Sequence, residues 1–198
     1  MKKATSSGLF ESIPCQLDSF PSVEPSGGFS TSREPSVVEK EIHRGEALFI
    51  RHGDALRKDG NAIYLLEKYL QAIELTRTSM TRMRITEACA ACAVAKGSCC
   101  FAGVEEWYDH ILLLMNRLLG IEVSIHGEIE GSCLFVGQQG CKLLARHCFC
   151  VNYLCPSLRS LLGESAANRF VIEAGEELYR AWELERFLRN WIARTPRL

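Results

Sequence analysis

A chain of 198 residues that is 47% hydrophobic and 24% charged has the composition of one globular domain with its own core. A net charge of -1 and a pI near 6.5 exclude an overall field that would steer it onto nucleic acid or acidic lipid. No apolar run approaches the roughly 18 residues that cross a bilayer, and Ser6, Ser7, Glu11 and Asp18 interrupt the apolar region a signal peptide would need, so the expectation is a cytoplasmic protein that binds neither nucleic acid nor membrane.

Residues 1 to 38 are rich in serine, hold Pro14, Pro21, Pro25, Pro35 and Gly27-Gly28, and scatter their apolar residues. Such a composition cannot offset the entropy of ordering, which predicts a disordered leader with Cys15 as an isolated thiol. Residues 39 to 198 form the expected single helical domain. Ile42, Ala47, Leu48 and Ile50 interleave with charged residues as in a first amphipathic helix, stopped by Lys58-Asp59-Gly60-Asn61. A second helix follows, its stripe drawn by Ile63, Leu66, Leu70, Ile73, Met80 and Met83, ending near Thr86. Both methionines read as core packing.

Val104, Trp107, Tyr108, Ile111, Leu112, Met115, Leu118 and Leu119 make a third helix ended by Gly120, with His110 on its exposed side. Ile121, Val123 and Ile125 alternate with polar residues as in a short half-buried strand. Gly127, Gly131, Gly137 and Gly140 then punctuate a hairpin or pair of loops. After a short turn from Ser157 to Leu162, a long helix from about Glu164 to Arg194 carries Phe170, Ala174, Leu178, Trp182, Leu188 and Trp191 on one stripe. Its tryptophans suit the core or a homodimer interface through this C-terminal helix. The fold class is mainly α: a helical domain with an irregular Cys-rich metal-binding insert containing a short hairpin.

Nine of the ten cysteines lie between Cys89 and Cys155. Cys89 and Cys92 form a CxxC unit at the end of the second helix, where a turn would let both sulfurs converge on one ion or cluster edge. Gly97 precedes the adjacent pair Cys99-Cys100, followed by Cys133, Cys141, Cys148, Cys150 and Cys155. In an extended stretch Cys148 and Cys150 would face the same side. In a reducing cytosol, CxxC spacing favours metal or redox chemistry over structural disulfides, although an even count of ten leaves a disulfide framework open.

The order Cys89-x2-Cys92, Cys99-Cys100, Cys133, Gly140-Cys141, Arg146-x3-Cys150 and Cys155 resembles the YkgJ-type cysteine-rich proteins, described as zinc- or iron-chelating domains. The resemblance spans about one third of the chain. It implies Cys89, Cys92, Cys99, Cys100, Cys133, Cys141, Cys150 and Cys155 as metal ligands, with Cys148 as an extra. Two features depart from that pattern: six residues separate Cys92 from Cys99, and His147 stands where the family has proline.

Four thiolates suit either tetrahedral zinc or an iron–sulfur cluster, and eight would fill two such sites. Phe101, Phe135, Phe149 and Leu154 could shield a cluster, and Arg146 and His147 could donate hydrogen bonds to sulfur. The first functional expectation is a metal-binding protein, iron–sulfur or zinc, with a redox, maturation or sensing role and an unidentified protein partner. The second is a helical interaction protein stapled by zinc, without catalysis. A third, a thiol enzyme using Cys89 or Cys92, would need a lowered thiolate pKa, and Lys96 is the one basic residue close by.

Overall fold

The computed structural model describes residues 36–94 and 99–195, with the side chains of residues 93 and 94 outside the description. The leader expected over residues 1–38 falls almost wholly outside it, as do Cys15, Lys96 and Gly97. The described chain is mainly helical, in the order α1 (Val37–Leu56), α2 (Gly60–Arg82), α3 (Ile85–Val94), a 3-10 turn (Val104–Trp107), α4 (His110–Leu118), β1 (Val136–Gly137), β2 (Gly140–Cys141), α5 (Cys148–Asn152), α6 (Pro156–Leu162) and α7 (Glu164–Arg194). Among the described residues no helix is long and apolar enough to cross a membrane.

Local chemistry sets the helix ends. Ser36 and Glu39 form a reciprocal capping box that starts α1. The Asp59 carboxylate accepts the Asn61 and Ala62 amides to start α2, and Asp109 does the same for Ile111 and Leu112 at the head of α4. Between α2 and α3 the chain turns at Arg84, whose φ is 61°. The second helix therefore ends earlier than Thr86, and a separate helix opens at Ile85.

α2 packs along α7 and α1 along α4. At Gly45 a Cβ would lie 3.1 Å from both the His110 carbonyl and Leu113 Cβ, so α1 and α4 approach too closely for a side chain there. His110 does not sit on an exposed side: its backbone N–H and Nδ1 meet Glu41 Oε2 at 2.8 and 2.7 Å, tying the first turn of α4 to α1. The buried face of α2 is Ala62, Tyr69, Ala72, Ile73 and Thr76, while Ile63 and Leu70 of the expected stripe are exposed. Ala62 and Ala72 on α2 and Ala167 and Ala174 on α7 are all buried, Ala62 in the cluster that holds Leu184 and Leu188. Trp191 belongs to the core and donates from Nε1 to Asp59 Oδ2 at 3.2 Å, whereas Trp182 is half exposed under the Arg186 guanidinium.

The strand expected over Ile121 to Ile125 does not form. Its backbone is engaged by the end of α4, with Ile121 N–H donating to the Asn116 carbonyl and Arg117 Nη1 to the Ile121 carbonyl, and no ladder partner is left for it among the described residues. The expected hairpin does form, as a minimal pair in which Val136 faces Cys141 and Gly137 faces Gly140, with Gly140 at φ 97°. Beside it, Phe101 bridges Ser132 and Cys133 N–H donates to the Cys100 carbonyl at 2.7 Å.

One side chain holds this irregular half to the helices. Asn116 on α4 is 0% exposed. Its Oδ1 accepts the Leu144 and Ala145 amides at 2.9 and 3.0 Å, and its Nδ2 donates to the Ala145 and Leu112 carbonyls at 2.8 and 3.0 Å. Replacement by alanine strands these buried backbone groups, at about 1–3 kcal/mol for each group left unpaired. Asn116→Ala should therefore lower unfolding stability by about 3 kcal/mol in urea titration, and Asn116→Asp, which keeps the acceptor and loses the donor, should fall between it and wild type.

Candidate metal centre

Three apolar clusters meet around one cavity. The first joins α1, α2, α4 and α7 around Tyr69, Leu114, Leu184 and Leu188. The second gathers Tyr108, Leu113, Phe135 and Leu143, and the third Ile85, Val151, Leu158 and Phe170. The cavity between them has a volume of about 270 Å³, and Cys89, Cys99, Cys100, Cys133, Cys141 and Cys150 all line it. These six come from α3, the segment before the 3-10 turn, the hairpin and α5, so residues up to 61 positions apart in sequence (Cys89 to Cys150) share one wall.

Each segment delivers its thiol differently. The Phe101 to Ser132 bridge sets Cys100 beside Cys133. The hairpin register brings Cys141 opposite Val136, two residues from the Leu143 that packs in the second cluster. Residues 148 to 152 form a helical turn capped by His147, whose Nδ1 accepts the Phe149 N–H at 3.3 Å. In a helix two residues are rotated by roughly 200°, so Cys148 and Cys150 do not share a side as an extended chain would have them. Cys148 is exposed, and Cys150 faces the cavity.

Cys89 and Cys92 are not in a turn. Both lie within α3, one helical turn apart on a common face, with Cys89 on the cavity and Cys92 outside its lining. Cys155 caps α6 and packs with Cys89 against the third cluster, also outside the lining. Of the eight expected ligands, six are thus brought to one cavity, and Cys92 and Cys155 are placed at its margin.

Electrostatics inside the cavity are those of crowded, buried thiols. Burial pushes the Cys133, Cys141 and Cys150 thiols up, Cys150 to about 11, and each is raised further by neighbouring cysteines, Cys100 acting on Cys141 and Cys150. Opposing this, the Phe135 N–H donates to Cys133 and the Leu143 N–H to Cys141, each from two residues on, and the Tyr108 hydroxyl donates to Cys150 Sγ at 3.6 Å. Arg146, itself on the cavity wall, also favours the thiolates of Cys141 and Cys150. Donors aimed at sulfur are what a thiolate needs when it holds a soft cation.

The donor chemistry therefore fits a soft metal or an iron–sulfur cluster. The geometry is open: among the described residues no group of three or more His, Cys, Asp or Glu side chains is arranged to hold a metal ion. The thiols line a wall instead of meeting at a point. No disulfide joins any two of the nine described cysteines.

Phe149 and Leu154 line the cavity as the sequence suggests, while Phe135 stands behind Tyr108 at a ring separation of 5.0 Å. Two participants had no signal in the spacing. Tyr108 reads as core by its period, yet its hydroxyl reaches Cys150. Arg77 lies on α2 beyond the cysteine region and still lines the cavity.

No protein-family model matches the chain, and no curated protein or solved structure matches it either. The resemblance to the YkgJ-type proteins thus rests on the cysteine order alone.

Because folding raises the cavity thiols above their ordinary value of 9.0, the stability they allow is fully present below that pH and is lost as pH climbs toward about 11, where Cys150 ionises. The melting temperature under reducing conditions should fall over this window, and Cys150→Ala should flatten the fall. At neutral pH iodoacetamide should alkylate exposed Cys148 well before Cys133, Cys141 or Cys150, as followed by peptide mass spectrometry.

Proposed function

We propose that this chain is a metal-binding protein whose cavity cysteines hold an iron–sulfur cluster, with zinc as the alternative occupant, in a redox, maturation or sensing role. The observation that carries this reading is that six cysteines distant in sequence line the wall of one largely apolar cavity. Hydrogen-bond donors directed at Cys133, Cys141 and Cys150 support it. The order of the cysteines along the chain supports membership of the YkgJ-type group.

The spacing of the thiols favours a cluster over one ion. Zinc bound at about 2.3 Å from sulfur draws its ligands tightly together, whereas a cluster keeps them apart around its own volume. Thiols that line a cavity without converging are closer to the second case. When bound, such a cluster supplies electron storage or a sensitivity to oxidants. The chain's own part is to exclude water through Phe149, Leu154 and Phe170 and to direct the Tyr108, Phe135 and Leu143 donors at sulfur. Cys100, Cys133, Cys141 and Cys150, which act on one another electrostatically, form the most coherent set of four ligands. Binding draws these thiols inward and displaces their protons.

Metal and acid-labile sulfide analysis of anoxically purified protein tests the reading. Iron with stoichiometric sulfide and a broad visible band is the expected result; colourless protein with stoichiometric zinc selects the alternative, and protein without either metal overturns both. Cys148→Ser should retain the metal, while Cys141→Ser and Cys150→Ser should lose most of it, since serine offers no soft anionic ligand at neutral pH.

A further inference from the structure

Behind the cavity wall lies a charged pair that no cysteine motif requires. Glu177 on α7 is 0% exposed and Arg146 is 10% exposed by side chain, and Arg146 Nη2 stands 3.5 Å from Glu177 Oε1. The second carboxylate oxygen, Oε2, and the nearby Tyr69 hydroxyl are also buried, with the Thr76 side chain acting on Glu177 and the Arg146 backbone on Tyr69. Burying such a pair gains little stability over a well-packed apolar pair, and its desolvation penalty is substantial. The arrangement does, however, fix where the guanidinium points. Arg146 Nη1 lies 3.7 Å from Met80 Sδ, both residues are on the cavity wall, and Arg77 joins them there.

The charge inside that wall needs an opposite. A doubly charged cation held by four thiolates keeps a net charge of about -2, in an enclosure lined largely by apolar side chains where uncompensated charge is costly. Among the described residues, Arg146 and Arg77 are the two guanidiniums on the wall that also carries Cys141 and Cys150. Burial pushes the Glu177 carboxyl up, and the Arg146 and Arg77 guanidiniums and the Thr76 side chain pull it back down.

We propose that Arg146 is the buried counter-charge of the loaded cysteine site, with Arg77 beside it, and that Glu177 is its positioning residue. The inference rests on the thiolate-metal reading above and adds to it a charge-balancing wall contributed by α2 and α7. Without the wall, the thiolates would hold their metal in an uncompensated apolar enclosure.

Cobalt(II) titration of the full chain, reduced and anaerobic, with chelator competition and thiolate-to-cobalt charge-transfer absorption as readouts, tests it. Arg146→Met and Glu177→Gln should each weaken cobalt binding by about 10-fold or more, the range seen when groups supporting metal ligands are removed. Arg146→Lys should recover part of the affinity, because it restores charge without the planar fork. The charge-transfer band should move to lower energy in Arg146→Met, since a thiolate without a nearby cation gives up its electrons more readily.

The double variant Arg146→Met/Glu177→Leu separates charge from folding. An apolar pair of similar volume should melt at or above the wild-type temperature and still bind cobalt about 10-fold more weakly. A double variant that binds as tightly as wild type, with its band unmoved, overturns the role of Arg146. Wild-type protein without any thiolate-to-cobalt band overturns this inference, while the cluster reading stands or falls separately on the iron and sulfide analysis.

Discussion

The Asn116 carboxamide is the constraint on which the rest of the molecule depends. A segment such as Leu143 to Arg146 has no helix or sheet to satisfy its backbone, and a buried amide or carbonyl must find a partner. Asn116 offers a donor and an acceptor on one short side chain and satisfies two amides and one carbonyl of that segment at once. With residues 144 and 145 fixed to α4, the hairpin end at Cys141 and the helical turn at Cys150 are fixed on either side of them. The same clamp sets Arg146 against α7.

The cavity follows from three clusters that cannot merge. α7 packs along α2, α4 packs along α1 over Gly45, and α3, α5 and α6 gather around Phe170. Where the three meet, the chain sets six cysteines among leucines such as Leu143 and Leu154. A cysteine is small and tolerates an apolar neighbourhood as a thiol, yet several together resist ionisation, as the raised thiols of Cys133, Cys141 and Cys150 show. The same crowding that makes these thiols inert toward alkylation would favour a cation able to neutralise them. On this view the buried pair of Arg146 and Glu177 is the outer part of one electrostatic unit whose inner part is sulfur.

Several elements were legible from residue order because their causes are local. The turn between α1 and α2 is carried by Asp59, which caps the helix that follows it, and Phe170, Ala174 and Leu188 of the expected α7 stripe are buried, while Trp182 of that stripe is half exposed. On α2 the expected stripe holds at Ile73, Leu66, Met80 and Met83, which pack into the clusters, and fails at Ile63 and Leu70, which are exposed. Cys89 was placed in a turn because CxxC units commonly sit in one, whereas the chain turns earlier, at Arg84, where the φ of 61° is a property no residue type announces. Ile121 to Ile125 alternates as a strand does, but a strand needs a neighbour, and the end of α4 takes its backbone groups first.

The sequence by itself determined the helices, their approximate ends, and the kind of chemistry available, since hydrogen bonds four residues apart and the soft donor character of cysteine are fixed by residue type and order. Only the tertiary structure decided which cysteines share a cavity, that Cys150 turns inward while Cys148 turns out, and that Tyr108 and Arg77 line the same cavity. The reason is one of range. Side chains 29 and 42 positions apart, as in Asn116 with Ala145 and Tyr108 with Cys150, meet through the packing of whole helices, and no local period or spacing encodes that meeting.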